Sequence, residues 1–143
     1  MRQIRNGLIA LVLLATTLAW MNPNILEDVG LQKSDADRVL NAYKQRRSNL
    51  IVEVEGRVLS ELVQLKDDAL YQRFRVELEN NHPLEVWHNI DVSMPVPVSA
   101  NAWVRMRGEY DWTPQGGKLH WTHRDPEGRR EGGWIEVGGD RYY

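Results

Sequence analysis

The amino-acid sequence predicts a mainly β fold, a small antiparallel barrel preceded by one α-helix and an N-terminal export segment. Three observations carry this prediction. Beyond Asn49, apolar residues recur at every second position in several runs separated by turn residues. The first of these runs contains a glycine, Gly56, after which the alternation slips. The clearest helical pattern lies ahead of them all, starting at Ser34.

The chain opens MRQIRNGLIALVLLATTLAWMN. Arg2 and Arg5 precede an apolar run from Leu8 to Trp20, and no charge follows until Glu27. Charge followed by an apolar stretch is the order of an export signal, and Thr17 and Ala19 are small enough for cleavage after Ala19. The run is short for a spanning helix, which needs roughly 20 apolar residues. An uncut anchor is the alternative. Either way the two arginines stay on the cytoplasmic side, so the expected location is the periplasm or the exterior, or an inner-membrane anchor facing the periplasm. Membrane contact is then expected only through this segment, and only if it is not removed. The domain expectation is a signal peptide or anchor at 1–19, a linker and helix at 20–48, and a barrel at 49–143.

Cysteine is absent, so an exported form has neither disulfides nor a thiol for lipid attachment, and its stability must come from its core. The full chain carries 18 basic and 20 acidic residues. Removing 1–19 takes away Arg2 and Arg5 and leaves a formal charge of −4. A mildly acidic chain has no general attraction to phosphate backbones, which disfavours nucleic acid as a partner.

SDADRVLNAYKQRRS, from Ser34, reads as a helix. Ser34 suits the N-cap, Asp35 and Asp37 the first turn, and Arg46 and Arg47 the last. Val39, Leu40 and Tyr43 form a narrow apolar stripe fit to lie on a sheet. In IVEVEGRV, residues Val52, Val54, Gly56 and Val58 share one face, and Gly56 marks a bend. YQRFRVEL turns Phe74, Val76 and Leu78 inward; Asn80, Asn81 and Pro83 then lead to LEVWHNI. DVSMPVPVSAN has two prolines and no helical period, and reads as a crossing loop. AWVRMRGEYDW is the fourth strand, TPQGG turns the chain, KLHWTHR is the fifth, and a short GWIEV follows. A long bent first strand followed by four or five more fits an OB-like barrel of five or six strands, with a flat meander packed under the helix as the alternative.

Keeping apolar residues on one face of each hairpin sets its register. For strands four and five this places Trp112 against Leu119, Tyr110 against Trp121 and Gly108 against His123 inside, with Asp111 beside His120 and Glu109 beside Thr122 outside. For strands two and three it places Val76 against Val86 and Phe74 against His88, with Arg75 beside Trp87. Two glutamates, Glu77 and Glu85, then face each other. In a regular strand, residues three apart point to opposite faces, so His120 and His123 do not share a metal unless the chain bends between them.

The outward residues Arg75, Trp87, Trp103, Arg105, Arg107, Glu109, Asp111 and His120 form the candidate binding surface, since aromatics interleaved with arginines on a barrel face can stack rings. No cofactor is required by any motif. Zinc, which takes histidine and carboxylate ligands, enters as an alternative through His88, His123 and Asp125. No catalytic residue is assigned: Ser60, Ser93 and Ser99 lack a glycine-framed nucleophile turn.

YQRF, WHNID, GEYDW, GGKLHWTHRDP and GGWI, in this order from Tyr71 to Ile135, resemble an uncharacterised family of small exported bacterial proteins, domain of unknown function 3465. The resemblance covers about Val52 to the C-terminus, implies export and a single domain, and supplies no site residues. The family pattern often has histidine where this chain has Tyr71 and Arg124. A metal site using either of those imidazoles would be lost here, whereas one limited to His88, His120, His123 and Asp125 would survive. The expected function is a binding module in the periplasm or cell envelope, with an envelope ligand or protein as partner. The alternatives are a metal-dependent hydrolase and a structural envelope protein.

Overall fold

The computed structural model describes residues 34–60 and 63–143. The expected signal or anchor at 1–19 lies outside the described residues. The helix α1 spans Ala36–Lys44 and buries Ala36, Val39 and Ala42. It is shorter than the helical pattern, because the chain turns at Arg46, whose φ is 53°. Asp35 ties its start to the first strand in both directions: its amide donates to the Glu53 carbonyl at 2.7 Å, and its carboxylate accepts the Glu53 N–H at 3.0 Å. Ser34 accepts the Ala36 N–H at 3.3 Å, as an N-terminal hydroxyl does.

Eight strands follow: β1 (Leu50–Val58), β2 (Val63–Lys66), β3 (Leu70–Leu78), β4 (Pro83–Asn89), β5 (Trp103–Asp111), β6 (Lys118–His120), β7 (Trp134–Val137) and β8 (Asp140–Tyr142). Five of them close into a barrel in the order β1-β3-β4-β6-β5, and β5 returns to β1. The β4–β6 seam is parallel, and the other pairings are antiparallel. This is the closed Greek-key order of an OB barrel. β2 is added beside β3, and the β7–β8 hairpin beside β5.

Closure depends on β1. It pairs with β5 from Leu50 to Arg57 and with β3 from Gly56 to Val58, so one strand serves both neighbours. At the crossover a side chain on Gly56 would place Cβ 2.7 Å from the Glu77 carbonyl oxygen, and the sequence supplies hydrogen there. Val52, Val54, Phe74, Val76, Leu84, Val86, Met106, Tyr110 and Leu119 fill the interior together with Val39 of α1. Each large side chain buried this way contributes about 1.5–3 kcal/mol relative to exposure. Residues 90–102 cross with neither helix nor strand, as their two prolines predict. The loop is fixed from inside: buried Gln72 accepts the Val96 N–H at 2.8 Å.

Both hairpins differ from the expected register by two residues. Phe74 faces Val86, Gln72 faces His88, and Arg73 faces Trp87. Tyr110 faces Leu119, and Glu109 faces His120. The opposition of Glu77 and Glu85 disappears, because Glu85 faces Arg75 and Glu77 faces Pro83. The fifth strand is also shorter than KLHWTHR, ending at His120. Trp121 follows with φ 55°, a left-handed conformation uncommon for a bulky residue. It turns the chain out of the sheet.

Candidate functional site

The turn at Trp121 has a direct consequence for the outer surface. A groove of about 350 Å³ lies there, lined by Tyr71, Trp87, Asn89, Val92, His120, Trp121, His123 and Pro126. Tyr71 on β3 and Trp87 on β4 point outward because their neighbours Gln72, Val86 and His88 point in. Their rings meet edge to face with centroids 5.3 Å apart. Trp121 packs against His123 at 4.9 Å. Because the strand ends between them, His120 and His123 line one groove although a regular strand would send them to opposite faces.

The arginines stacked on the groove's rings are paired, and Lys118 adds a cation 5.4 Å from the Trp87 ring centre. The Arg73 guanidinium lies 4.2 Å from the Trp87 ring centre and donates from Nε to Glu85 at 3.0 Å. Glu85 also accepts the Trp87 indole N–H. Arg130 lies 3.8 Å over Trp121, and its Nη1 is 2.8 Å from Glu109 Oε2. These contacts fix the wall rings and leave neither arginine as an uncompensated cation. In contrast, the Trp121 indole N–H is buried with no hydrogen-bond partner among the described residues, an unusual condition for a buried donor.

At the groove's edge, β5 and β6 bring Glu109, Asp111 and His120 together. Their ligand-capable atoms all lie within 4.8 Å of one another. His120 Nε2 is 2.9 Å from Asp111 Oδ2 and 3.9 Å from Glu109 Oε1. Burial lowers the His120 pKa against the pull of the Asp111 charge, and Lys118 adds to the lowering, which favours the neutral ring.

The other candidates are distributed differently. His88 is fully buried, with Nδ1 2.8 Å from the Thr122 hydroxyl and Nε2 2.9 Å from the Met94 carbonyl. A neutral ring that donates from Nε2 and accepts at Nδ1 satisfies both contacts, and burial lowers its pKa accordingly. His123 donates from Nδ1 to the Arg124 carbonyl at 2.7 Å. The Asp125 carboxylate accepts the backbone N–H groups of Glu127, Arg129 and Arg130 at 3.1, 2.8 and 2.9 Å, and these bonds hold it below its usual pKa. Arg75 is exposed on β3, and it is Arg73, not Arg75, that lies over Trp87. Trp103 and Arg105 line a separate depression with Glu55 and Glu136. Arg105 pairs with Glu53 and Glu55, and Arg107 pairs with Glu131 at 2.8 Å.

The structure therefore brings Trp87 and His120 into one groove, sets Glu109 and Asp111 at its edge through His120, and places Arg75, Trp103, Arg105 and Arg107 outside its lining. Sequence reasoning did not select Tyr71, Asn89, Val92, Trp121 or Pro126 as lining residues. Outward alternation around Phe74 and Val86 was signal enough for Tyr71 and Asn89. Nothing in the sequence marks the left-handed turn at Trp121.

The chain matches the family described as protein of unknown function (DUF3465) over residues 24–143. It belongs to that family. No curated protein and no solved structure matches it significantly.

Proposed function

From membership of that family and the geometry of the groove, we propose that the protein is an exported binding module of the cell envelope that seats a neutral carbohydrate between Tyr71, Trp87 and Trp121. The observation that carries this reading is the groove itself, whose lining brings the rings of Tyr71, Trp87 and Trp121 together beside Asn89 and His120. A sugar presents apolar C–H faces to aromatic walls and hydroxyl groups to polar side chains such as that of Asn89. The groove lies where OB barrels bind oligosaccharides and oligonucleotides, on the face of the second and third barrel strands, here β3 and β4. Carbohydrate is favoured over nucleic acid because Arg73 and Arg130 are each matched by a glutamate, which leaves the groove with little net positive charge for a phosphate backbone. The charge-then-apolar start of the chain supports export.

The alternative of a metal-dependent hydrolase through His88, His123 and Asp125 has less behind it. Both His88 nitrogens are hydrogen-bonded, and Asp125 is engaged by three backbone amides.

Titration with soluble cell-wall oligosaccharides, followed by tryptophan fluorescence, tests the proposal. Saturable quenching is expected, with a loss of about 5- to 100-fold in affinity in Trp121→Ala and Tyr71→Ala, since one stacked ring is worth about 1–3 kcal/mol. Binding of single-stranded oligonucleotides with a steep salt dependence, and none of oligosaccharides, would overturn it.

A further inference from the structure

We propose that Glu109, Asp111 and His120 form a site for one divalent metal ion of the zinc class, at the edge of the groove and independent of what the groove takes. The register creates it. Glu109 and His120 are direct cross-strand partners on β5 and β6, and Asp111 follows Glu109 by two positions, so all three side chains leave the same face of the sheet.

Each carboxylate is divided in the same way. Glu109 Oε2 is held by Arg130 at 2.8 Å while Oε1 faces His120. Asp111 Oδ1 accepts the Asn49 N–H at 3.2 Å while Oδ2 faces His120. One oxygen of each is anchored by a donor and the other is turned toward the imidazole, as outer partners orient the ligands of a metal.

His120 Nε2 supplies the second, independent observation. It is buried and has no hydrogen-bond partner among the described residues, although Asp111 Oδ2 is only 2.9 Å away. The carboxylate attracts the ring by its charge without making a well-formed hydrogen bond to Nε2. An ion placed between the three atoms satisfies the nitrogen. Ligand atoms around zinc at roughly 2.0–2.2 Å stand about 3.0–3.4 Å apart for octahedral to tetrahedral angles. The observed 2.9 and 3.9 Å bracket that separation, and the two carboxylate oxygens lie within 4.8 Å of each other, so side-chain adjustments on the order of 1 Å complete the set. A neutral imidazole with two carboxylates suits zinc-class ions better than calcium or magnesium, which prefer all-oxygen shells. Three protein ligands leave at least one coordination position for a non-protein ligand such as water.

Isothermal titration of chelator-treated protein with zinc chloride is the test, with visible absorption of the cobalt-loaded form as a check on coordination. One ion per chain is expected, and His120→Ala and Asp111→Asn should each weaken it by at least about 100-fold, beyond the 10–100-fold that outer-shell changes produce. Asp111→Asn keeps the side-chain shape and its acceptor for Asn49, so the test survives if His120→Ala does not fold. His123→Gln should bind zinc as the parent does. The proposal is overturned if no stoichiometric binding occurs, if Asp111→Asn binds like the parent, or if His123→Gln loses the ion.

Discussion

The imidazole of His88 and the hydroxyl of Thr122 meet at 2.8 Å inside the barrel, joining β4 to the segment that leaves β6. The contact lies along the shortest pairing of the closed sheet, the parallel seam in which only Glu85 and Val86 of β4 find partners on β6. A hydrogen bond between side chains continues the seam where backbone pairing stops.

Because burial lowers the His88 pKa, folding stability should respond to acid with a defined sign. The unfolded ring takes up a proton near its ordinary value of about 6.5, while the folded ring resists. The His88 contribution is fully present above that value, begins to fall as pH drops below it, and is lost once pH has passed the depressed folded-state pKa. Urea unfolding at pH 7.5 and at intervals down to pH 5 should show a decline for the parent protein. His88→Gln should be about 1–3 kcal/mol less stable at pH 7.5, from the disturbed buried hydrogen bonds, and should decline less steeply. Parallel slopes would show that His88 does not set this limb.

Gly56→Ala should destabilise the barrel by about 1–3 kcal/mol, the usual range for forcing atoms into a packed interior. The added carbon would lie 2.7 Å from a backbone oxygen of β3, which cannot move without straining the β1–β3 pairing. Thermal unfolding monitored by circular dichroism measures the effect. A melting temperature equal to that of the parent would mean that the crossover tolerates a side chain.

Trp103→Ala should leave stability within about 0.5 kcal/mol, as expected for an exposed position away from caps and buried networks. Its side chain is 62% exposed, on the surface near Arg105 and Glu136 rather than in the aromatic groove. Oligosaccharide affinity should also be unchanged, which fluorescence titration beside Trp121→Ala would establish. A comparable loss in both variants would place the ligand on β5 instead.

The parts of the fold that depend on period and punctuation were legible in the sequence. Alternation around Phe74 and Val86 assigned inward and outward faces, Gly56 marked the bend, and Pro95 and Pro97 excluded a helix from the crossing loop. Register was less accessible, and for a physical reason. Side chains alternate every second residue, so a shift of two leaves every face unchanged and the hydrophobic pattern cannot detect it. Charge could: facing Glu77 and Glu85 was the unfavourable feature of the expected pairing, and it is absent from the observed one. The site was legible only in part. His120 with Asp111 survives the shift as a diagonal contact at 2.9 Å. The left-handed turn at Trp121, which brings His123 to the groove, has no marker because tryptophan carries no preference for it.

Closure of the sheet also governs how one molecule meets another. Among the described residues, the added strands β2 and β8 each pair with a single neighbour, and they span only four and three residues. Lys66, Asp140 and Arg141 place charge on both. Short, charged margins are poor templates for adding a strand from a second chain. The topology of the described residues therefore offers a second chain few open strand edges on which intermolecular β-pairing could start.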